Sequence, residues 1–391
     1  MTSSVLAVLT VSPWPAQSGI ARRLDAIVDA CHRSTQLTVA VVVPDGRDVA
    51  PPSSVRTTRV RRSPSRAASV TEILRGLPDG RPITMGFYRR GGARARLRTI
   101  LEETQPDVVF THGLGGAGLC DGLFPARRTV LDADTIDPST YRRIGRELGG
   151  FRGLQWTLDA DRIARWMRRE LPAYGSVTVV SRHDRELLDA IAPAARLEVV
   201  PNGVHLGQAR REDPGGGTFL FVGGRTYPPN RNGLSWLVRS VLADIPTGFC
   251  ELRVVGEGAT PIAEGVVAVG VVPEMAAEWR QATALLVPIR SGGGTRLKVI
   301  EAMAYGVPVI STAIGVEGLD VQAGQHYLLA ERASEWRLAI DRISADPSLR
   351  AQLAEAGRSF VERHHDWTVC TQPLVRSLHR VASGGVDTDT L

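Results

Sequence analysis

The stretch Ser291-Gly292-Gly293-Gly294-Thr295-Arg296-Leu297-Lys298-Val299-Ile300-Glu301-Ala302-Met303-Ala304-Tyr305-Gly306-Val307-Pro308-Val309-Ile310-Ser311-Thr312 decides how this chain is read. The apolar run Ala284–Val287 before it reads as a buried strand that ends at Pro288. The glycines then form a turn, and a helix is predicted from Thr295 to about Tyr305, with Gly306 as its stop. Val307-Pro308-Val309-Ile310 opens the next strand. A glycine turn at a helix N-terminus presents free backbone N–H groups and the positive end of the helix dipole, which suits an anion.

Lys298 is the single lysine of the chain, and the other 46 basic residues are arginine. An ammonium is a compact point charge, whereas a guanidinium is a wide planar fork. Lys298 and Glu301 lie three apart and share a helix face. One can meet phosphate while the other accepts hydrogen bonds from a ribose diol. A plain surface ion pair is the competing reading, but three consecutive glycines cost backbone entropy without packing in return and favour a ligand site. No GKS or GKT follows the glycines, so this is not a Walker phosphate loop.

The same alternation extends outward. Val5–Val11, Leu37–Val43, Val108–Thr111, Thr129–Asp132, Val177–Ser181 and Leu197–Val200 read as strands. Helices are predicted between them at Ile20–Cys31, Ala95–Thr104, Leu158–Leu171 and Arg182–Ile191, the last capped by Ser181. The pattern restarts after a polar stretch, with strands at Phe219–Val222, Leu252–Val255, Val266–Val269, Leu285–Val287 and Val309–Ser311 and a helix from about Asn232. Apolar strands separated by helices predict doubly wound parallel sheets. The expected layout is an α/β domain over 1–206, a linker at 207–217 and a second α/β domain over 218–366. A helix at 367–382 should cross back to the first domain, and 383–391 should be a disordered tail. Ligands bind beyond the carboxyl ends of such strands, so the glycine-bearing loops should line a shared cleft.

With 43% hydrophobic and 23% charged residues, the composition is that of a globular protein. No apolar stretch reaches the ~20 residues of a membrane span, and a cytoplasmic protein is expected. Cys31, Cys120, Cys250 and Cys370 are far apart without ligand-like spacing, so reduced thiols are expected, with no zinc site or disulfide framework. The net charge of +6 is uneven: residues 1–206 carry 29 arginines against 21 acids. Between Arg56 and Arg98, 12 arginines face only Glu72 and Asp79. That segment suits an anionic acceptor or an anionic membrane surface, reached peripherally, or it is a solvated face. Nucleic acid is disfavoured, since no aromatic platform or helix-turn-helix pattern accompanies it.

Pro201-Asn-Gly-Val204, Phe221-Val-Gly-Gly-Arg225, Val254-Val-Gly-Glu-Gly258, Gly270-Val-Val-Pro273 and the stretch from Gly292 to Thr312, in this order and spacing, resemble glycosyltransferase family 4. The spelling from Gly292 to Val309 is similar to the bacterial subgroup that builds polysaccharides and other glycosides. The match is dense over 200–320 and looser before it. The resemblance implies a GT-B fold of two Rossmann-like domains and transfer of a sugar, with retention, from a nucleotide-sugar donor. It also implies that the first domain receives the acceptor and the second holds the donor, without a metal or other cofactor.

Position by position, the resemblance makes Glu301 the ribose-binding glutamate, and Lys298 and Arg225 cations at the diphosphate, with Arg231 a second, looser match. Gly256, Val271 and Val272 would hold the base, and Gly292, Gly293, Gly294 and Thr295 the phosphate and sugar. Gly19 falls where the N-terminal glycine loop approaches the phosphates, and His112 matches a histidine near the reacting sugar. Lys298, Arg225 and His112 are therefore the catalytic candidates. One departure stands out: many members carry a glutamate where this chain has Gly293. Two other readings remain open, a nucleotide-sugar epimerase of the same fold and a non-catalytic nucleotide-sugar binder. A dehydrogenase is disfavoured, because no GxGxxG follows the first strand. Asp132 and Asp134 are spaced like a metal motif but read as structural or acceptor contacts. Trp14, Trp236 and Trp279 read as packing residues, with Trp14 alone on a loop expected at the cleft.

Overall fold

The computed structural model describes residues 2–16, 18–44, 51–62, 80–86, 88, 92–134, 136–206, 213–245, 250–258, 263–293 and 295–384. Residues 63–79, 87 and 89–91 of the basic segment, 207–212 of the expected linker, Gly294 and 385–391 of the tail lie outside them. The chain forms two compact units. One comprises Met1–Pro201 with Cys370–Leu391, and the other Asn202–Val369.

The first unit is built on seven parallel strands: β1 (Ser4–Leu9), β2 (Gln36–Pro44), β3 (Arg56–Arg62), β4 (Val108–His112), β5 (Thr129–Asp132), β6 (Ser176–Val179) and β7 (Leu197–Val199). Their order is β3-β2-β1-β4-β5-β6-β7. Val5 of β1 is in register with Leu37 on one side and Val108 on the other. β4 and β5 are buried along their whole length, so no exposed face calls for a polar residue at every second position. Helix Gly19–Ser34 buries Leu24, Ile27, Val28 and Cys31, a 3.6-residue period aimed at the sheet. Ser18 starts this helix, its hydroxyl accepting from the Ala21 amide at 3.2 Å. Ser181 caps Arg182–Ile191 in the same way, as expected, accepting from Asp184 N at 3.0 Å.

Helix Gln372–Ala382 returns to this unit. Leu374, Leu378 and Val381 join the core that holds Val5, Leu9 and Leu24. The expected C-terminal crossing helix is thus present, but split: Trp367–Cys370 and Gln372–Ala382 meet at Thr371, with Pro373 in the first turn of the second.

Several elements differ from the sequence reading. Arg56–Arg62 is an edge strand paired with β2 along its length, where the sequence suggested only a basic segment. Helix Pro138–Leu148, capped by Asp137, precedes a helix that runs from Gly150 to Glu170 rather than from Leu158. Helix Pro228–Ser240 starts four residues before Asn232, because its two prolines occupy the first turn, where no amide donor is needed.

The second unit has six parallel strands: β8 (Thr218–Val222), β9 (Glu251–Val255), β10 (Val266–Gly270), β11 (Ala284–Val287), β12 (Val309–Ser311) and β13 (Leu328–Leu329), in the order β10-β9-β8-β11-β12-β13. Phe219, Phe221, Leu234, Leu237, Leu286, Ile310, Trp336 and Ile340 belong to one buried cluster. Asp213 is held by the buried Arg350 at 2.7 Å, which fastens the chain just ahead of β8. In both sheets the strand order reverses next to the first strand of the unit, at β1/β4 and at β8/β11. Such switch points leave a crevice at the carboxyl ends of the strands. Among the described residues no helix is long and apolar enough to cross a membrane.

Candidate functional site

Lys298 sits at the β8/β11 switch point. It is the second residue of helix Leu297–Ala304, which follows β11, yet its ammonium reaches the end of β8. Nζ donates to the Val222 carbonyl at 2.6 Å and to Asn230 Oδ1 at 3.1 Å, and it lies 5.2 Å from the Phe221 ring centroid. Burial, and after it the neighbouring Arg296 charge, pull its pKa down to about 7. The helix begins at Leu297 and not at Thr295. Arg296 is extended, and the Thr295 hydroxyl accepts from Asn202 Nδ2 at 2.7 Å, which holds the preceding loop off the helix axis.

Most of the other donor candidates of this unit lie on the turns that follow β8, β9, β10 and β11. Gly256 ends β9 with φ 141° and donates its N–H to Gly270 O at 2.8 Å. A Cβ there would stand 2.6 Å from the Gly223 carbonyl carbon, so the turns after β8 and β9 touch only because position 256 has no side chain. The Arg225 amide donates to Glu257 O at 2.9 Å, and its half-buried guanidinium leans toward the Gly258 carbonyl. Gly292 is buried at φ 97°, beneath the Tyr227 hydroxyl and Pro229. The Gly293 carbonyl accepts from the Arg296 guanidinium. Val271 is exposed and Val272 half-exposed just past β10, while Glu301 is half-buried one helical turn beyond Lys298. Arg231 is exposed on helix Pro228–Ser240. Gly294 lies outside the described residues.

In the first unit, Gly19 is the first residue of the helix after β1, and His112 ends β4. Both flank the β1/β4 switch point. His112 is 3% exposed, and among the described residues its Nε2 has no hydrogen-bond partner; it stands 3.9 Å from Asp132 Oδ2 and 3.8 Å from Asp134 Oδ2. Asp132 is fully buried and forked by Arg23, with Nε to Oδ2 at 3.0 Å and Nη2 to Oδ1 at 2.7 Å, and it accepts from the Thr178 hydroxyl at 2.8 Å. Burial pushes this carboxyl up, but the Arg23 charge and hydrogen bonds outweigh it, with His112 and Thr178 adding to them, and hold it below the ordinary carboxylate range. Arg23 also donates to the Val200 carbonyl at 2.9 Å. Asp132 is therefore a structural anion, while Asp134 is the carboxylate left near the histidine. Asp184 is pushed up to about 6, first by burial and then by Asp134 and Asp137, with the Ser181 hydrogen bond opposing.

Trp14 is a packing residue despite its loop: it is 7% exposed, with Nε1 donating to Asp25 Oδ1 at 2.8 Å. Trp279 is buried beside Tyr305, and Trp236 meets Trp336 edge to face, with Arg290 over the Trp236 ring. All four cysteines are free thiols, and burial pushes Cys31 and Cys120 up to about 12. Among the described residues no group of three or more His, Cys, Asp and Glu side chains is placed to hold a metal ion. Sequence reasoning missed Asn230, Asn202 and Arg23. Each is a polar residue inside or beside a motif, whose partner is far away in sequence.

Residues 17–208 match the family model for glycosyltransferase family 4, and 216–346 match the model for glycosyl transferases group 1. The chain belongs to the family 4 glycosyltransferases and has the GT-B fold. Among solved structures it is similar to a sucrose-phosphate synthase from Thermosynechococcus elongatus, with TM-score 0.75 and 18% identity, covering 97% of this chain and 100% of that one. It is also similar to Anabaena HepE in complex with UDP-glucose, with TM-score 0.66 and 13% identity over 96% and 99% of the two chains. The α,α-trehalose 6-phosphate synthase of Burkholderia multivorans matches with TM-score 0.65 and 15% identity over 98% and 100%. No curated protein matches the sequence itself.

Proposed function

We propose that the protein moves a hexose from a nucleoside-diphosphate sugar to an acceptor hydroxyl, with retention of configuration and without a metal ion. The observation that carries this reading is the seat of Lys298: the only lysine brings a cation to the switch point of the second sheet, beside glycine turns and one helical turn from Glu301. In this reading Glu301 accepts from the ribose diol, the exposed edge after β10 receives the base, and the turns at Gly256 and Gly292 admit the phosphates.

Breaking the bond between the anomeric carbon and the phosphate oxygen leaves negative charge on the departing diphosphate. Lys298, Arg225 and the loop N–H groups are the donors that would stabilise it, and such stabilisation counts most where water is excluded. The departing phosphate would take the proton of the incoming hydroxyl on the same face of the sugar. The first unit is assigned the acceptor, with His112 as the polar group at its carboxyl edge. Its arginine excess favours an anionic or lipid-linked acceptor. UDP-glucose is the first donor to try, because the Anabaena protein is described in complex with it.

The test is to incubate purified protein with a panel of nucleoside-diphosphate sugars, with and without a chelator. Release of the nucleoside diphosphate is followed by mass spectrometry, and the anomeric configuration of any product by NMR. Turnover of one donor that survives the chelator and keeps its configuration is expected. Binding without turnover of any donor, inversion, or a requirement for metal would each overturn the corresponding part.

A further inference from the structure

We propose that Asn230 is the positioning residue for the Lys298 ammonium, fixing where the charge of the donor site stands. The proposal deepens the reading above and rests on it for its functional consequence, though not for its geometry. Asn230 Nδ2 donates to the Gly224 carbonyl at 3.1 Å. A carbonyl can only accept, so the amide nitrogen must face Gly224, which turns the amide oxygen toward Lys298 Nζ, at 3.1 Å. One side chain thus ties the lysine of one helix to the turn after β8. The backbone is shaped around it: a Cβ on Gly223 would come within 2.5 Å of Asn230 Nδ2. The Val222 carbonyl and the Phe221 face complete the seat.

The residue type matters. A neutral amide oxygen holds a cation without neutralising it, so the charge remains available to an incoming phosphate. An aspartate would form an ion pair and compete with that phosphate, and an aliphatic side chain would leave the half-buried ammonium one acceptor short. Other charges on the elements around Lys298 are Arg296 and Glu301 on its own loop and helix, Arg225 on the β8 turn and Arg231 on the helix that carries Asn230. Burial depresses the lysine, and the Arg296 charge adds to it, which makes any lost acceptor easy to read. A purely structural role, tying helix Pro228–Ser240 to the Gly224 carbonyl, would leave the lysine's own titration unmoved.

Because the chain has one lysine, protein grown with isotope-labelled lysine gives a single side-chain NMR signal to titrate. Asn230→Leu should lower the midpoint by half a pH unit or more, and Asn230→Asp should raise it by about a unit, as expected for an opposite charge in contact. A midpoint that stays at the wild-type value in a folded leucine variant overturns the proposal. Should the leucine variant not fold, Asn230→Ser takes its place, with the same expected direction and the same overturning result. UDP binding, measured alongside by calorimetry, should weaken about tenfold in the leucine variant, the scale of one hydrogen bond to a charged group. If wild-type protein binds neither UDP nor inorganic pyrophosphate, the donor-site reading fails, while the lysine titration still decides the role of Asn230.

Discussion

An ammonium held between a carbonyl, an amide oxygen and a phenyl face responds to pH differently from one in water. With its pKa near 7, Lys298 loses its proton in the range where the enzyme would work. UDP affinity is therefore expected to fall as pH rises from 6 to 9, and a bound diphosphate should draw the proton back. Calorimetry at pH 8 in two buffers of different ionisation enthalpy should show proton uptake approaching one per site; flat affinity and no uptake would separate Lys298 from the diphosphate. Stability has its own sign. The unfolded lysine titrates near 10.5 and the folded one near 7, so between these values the unfolded chain holds one more proton. This residue therefore makes folding more favourable as pH rises across that window, and Lys298→Met should remove the slope. Glu301→Ala should leave the fold intact and weaken donor binding roughly tenfold to a hundredfold, as ~1.5–3 kcal/mol of charge-assisted hydrogen bonding is lost. Unchanged affinity by calorimetry would remove Glu301 from the ribose.

The turns after β8 and β9 act as one piece, since Gly256 passes against the backbone of Gly223. Gly256→Ala adds a methyl group at a positive φ and 2.6 Å from a carbonyl carbon, so both turns must shift. Thermal unfolding should show a loss of 1 kcal/mol or more, accompanied by weaker UDP binding; a variant with wild-type behaviour in both would show that the close approach is not needed. Elements of this kind were legible where the signal is local. The apolar strands and the Ser181 cap follow from neighbours in sequence, as does the glycine turn before Lys298. What stayed hidden depends on distant partners. The helix starts at Leu297 because Asn202, 93 residues away, holds Thr295. β3 carries four arginines among its seven residues, so no apolar alternation marks it as a strand until β2 pairs with it. Asn230 meets Lys298 across 68 residues and Arg23 meets Asp132 across 109, separations that no short pattern encodes.

At the scale of the whole molecule, the basic first unit presents Arg56, Arg59, Arg96 and Arg98 to solvent on β3 and on helix Gly92–Thr104. Arginines near an anionic bilayer gain about 1 kcal/mol each, fading over a Debye length of ~8 Å at physiological salt. Vesicle binding should then rise with anionic lipid and vanish in high salt; a protein that ignores such vesicles and glycosylates a neutral soluble acceptor would reduce the patch to a solvated face. The path of the chain has a different kind of consequence. It leaves the first unit at Pro201, builds the whole second unit, and returns at Cys370 to lay Leu374, Leu378 and Val381 into the core begun by β1. On the ribosome, domains usually fold in the order in which they emerge. Here the earlier unit lacks part of its core until the segment after Cys370 has been made, whereas the later one is a continuous segment. Nascent chains stalled before Cys370 should therefore carry a protease-resistant second unit together with a first unit still open to cleavage, an order of birth inverted by helix Gln372–Ala382.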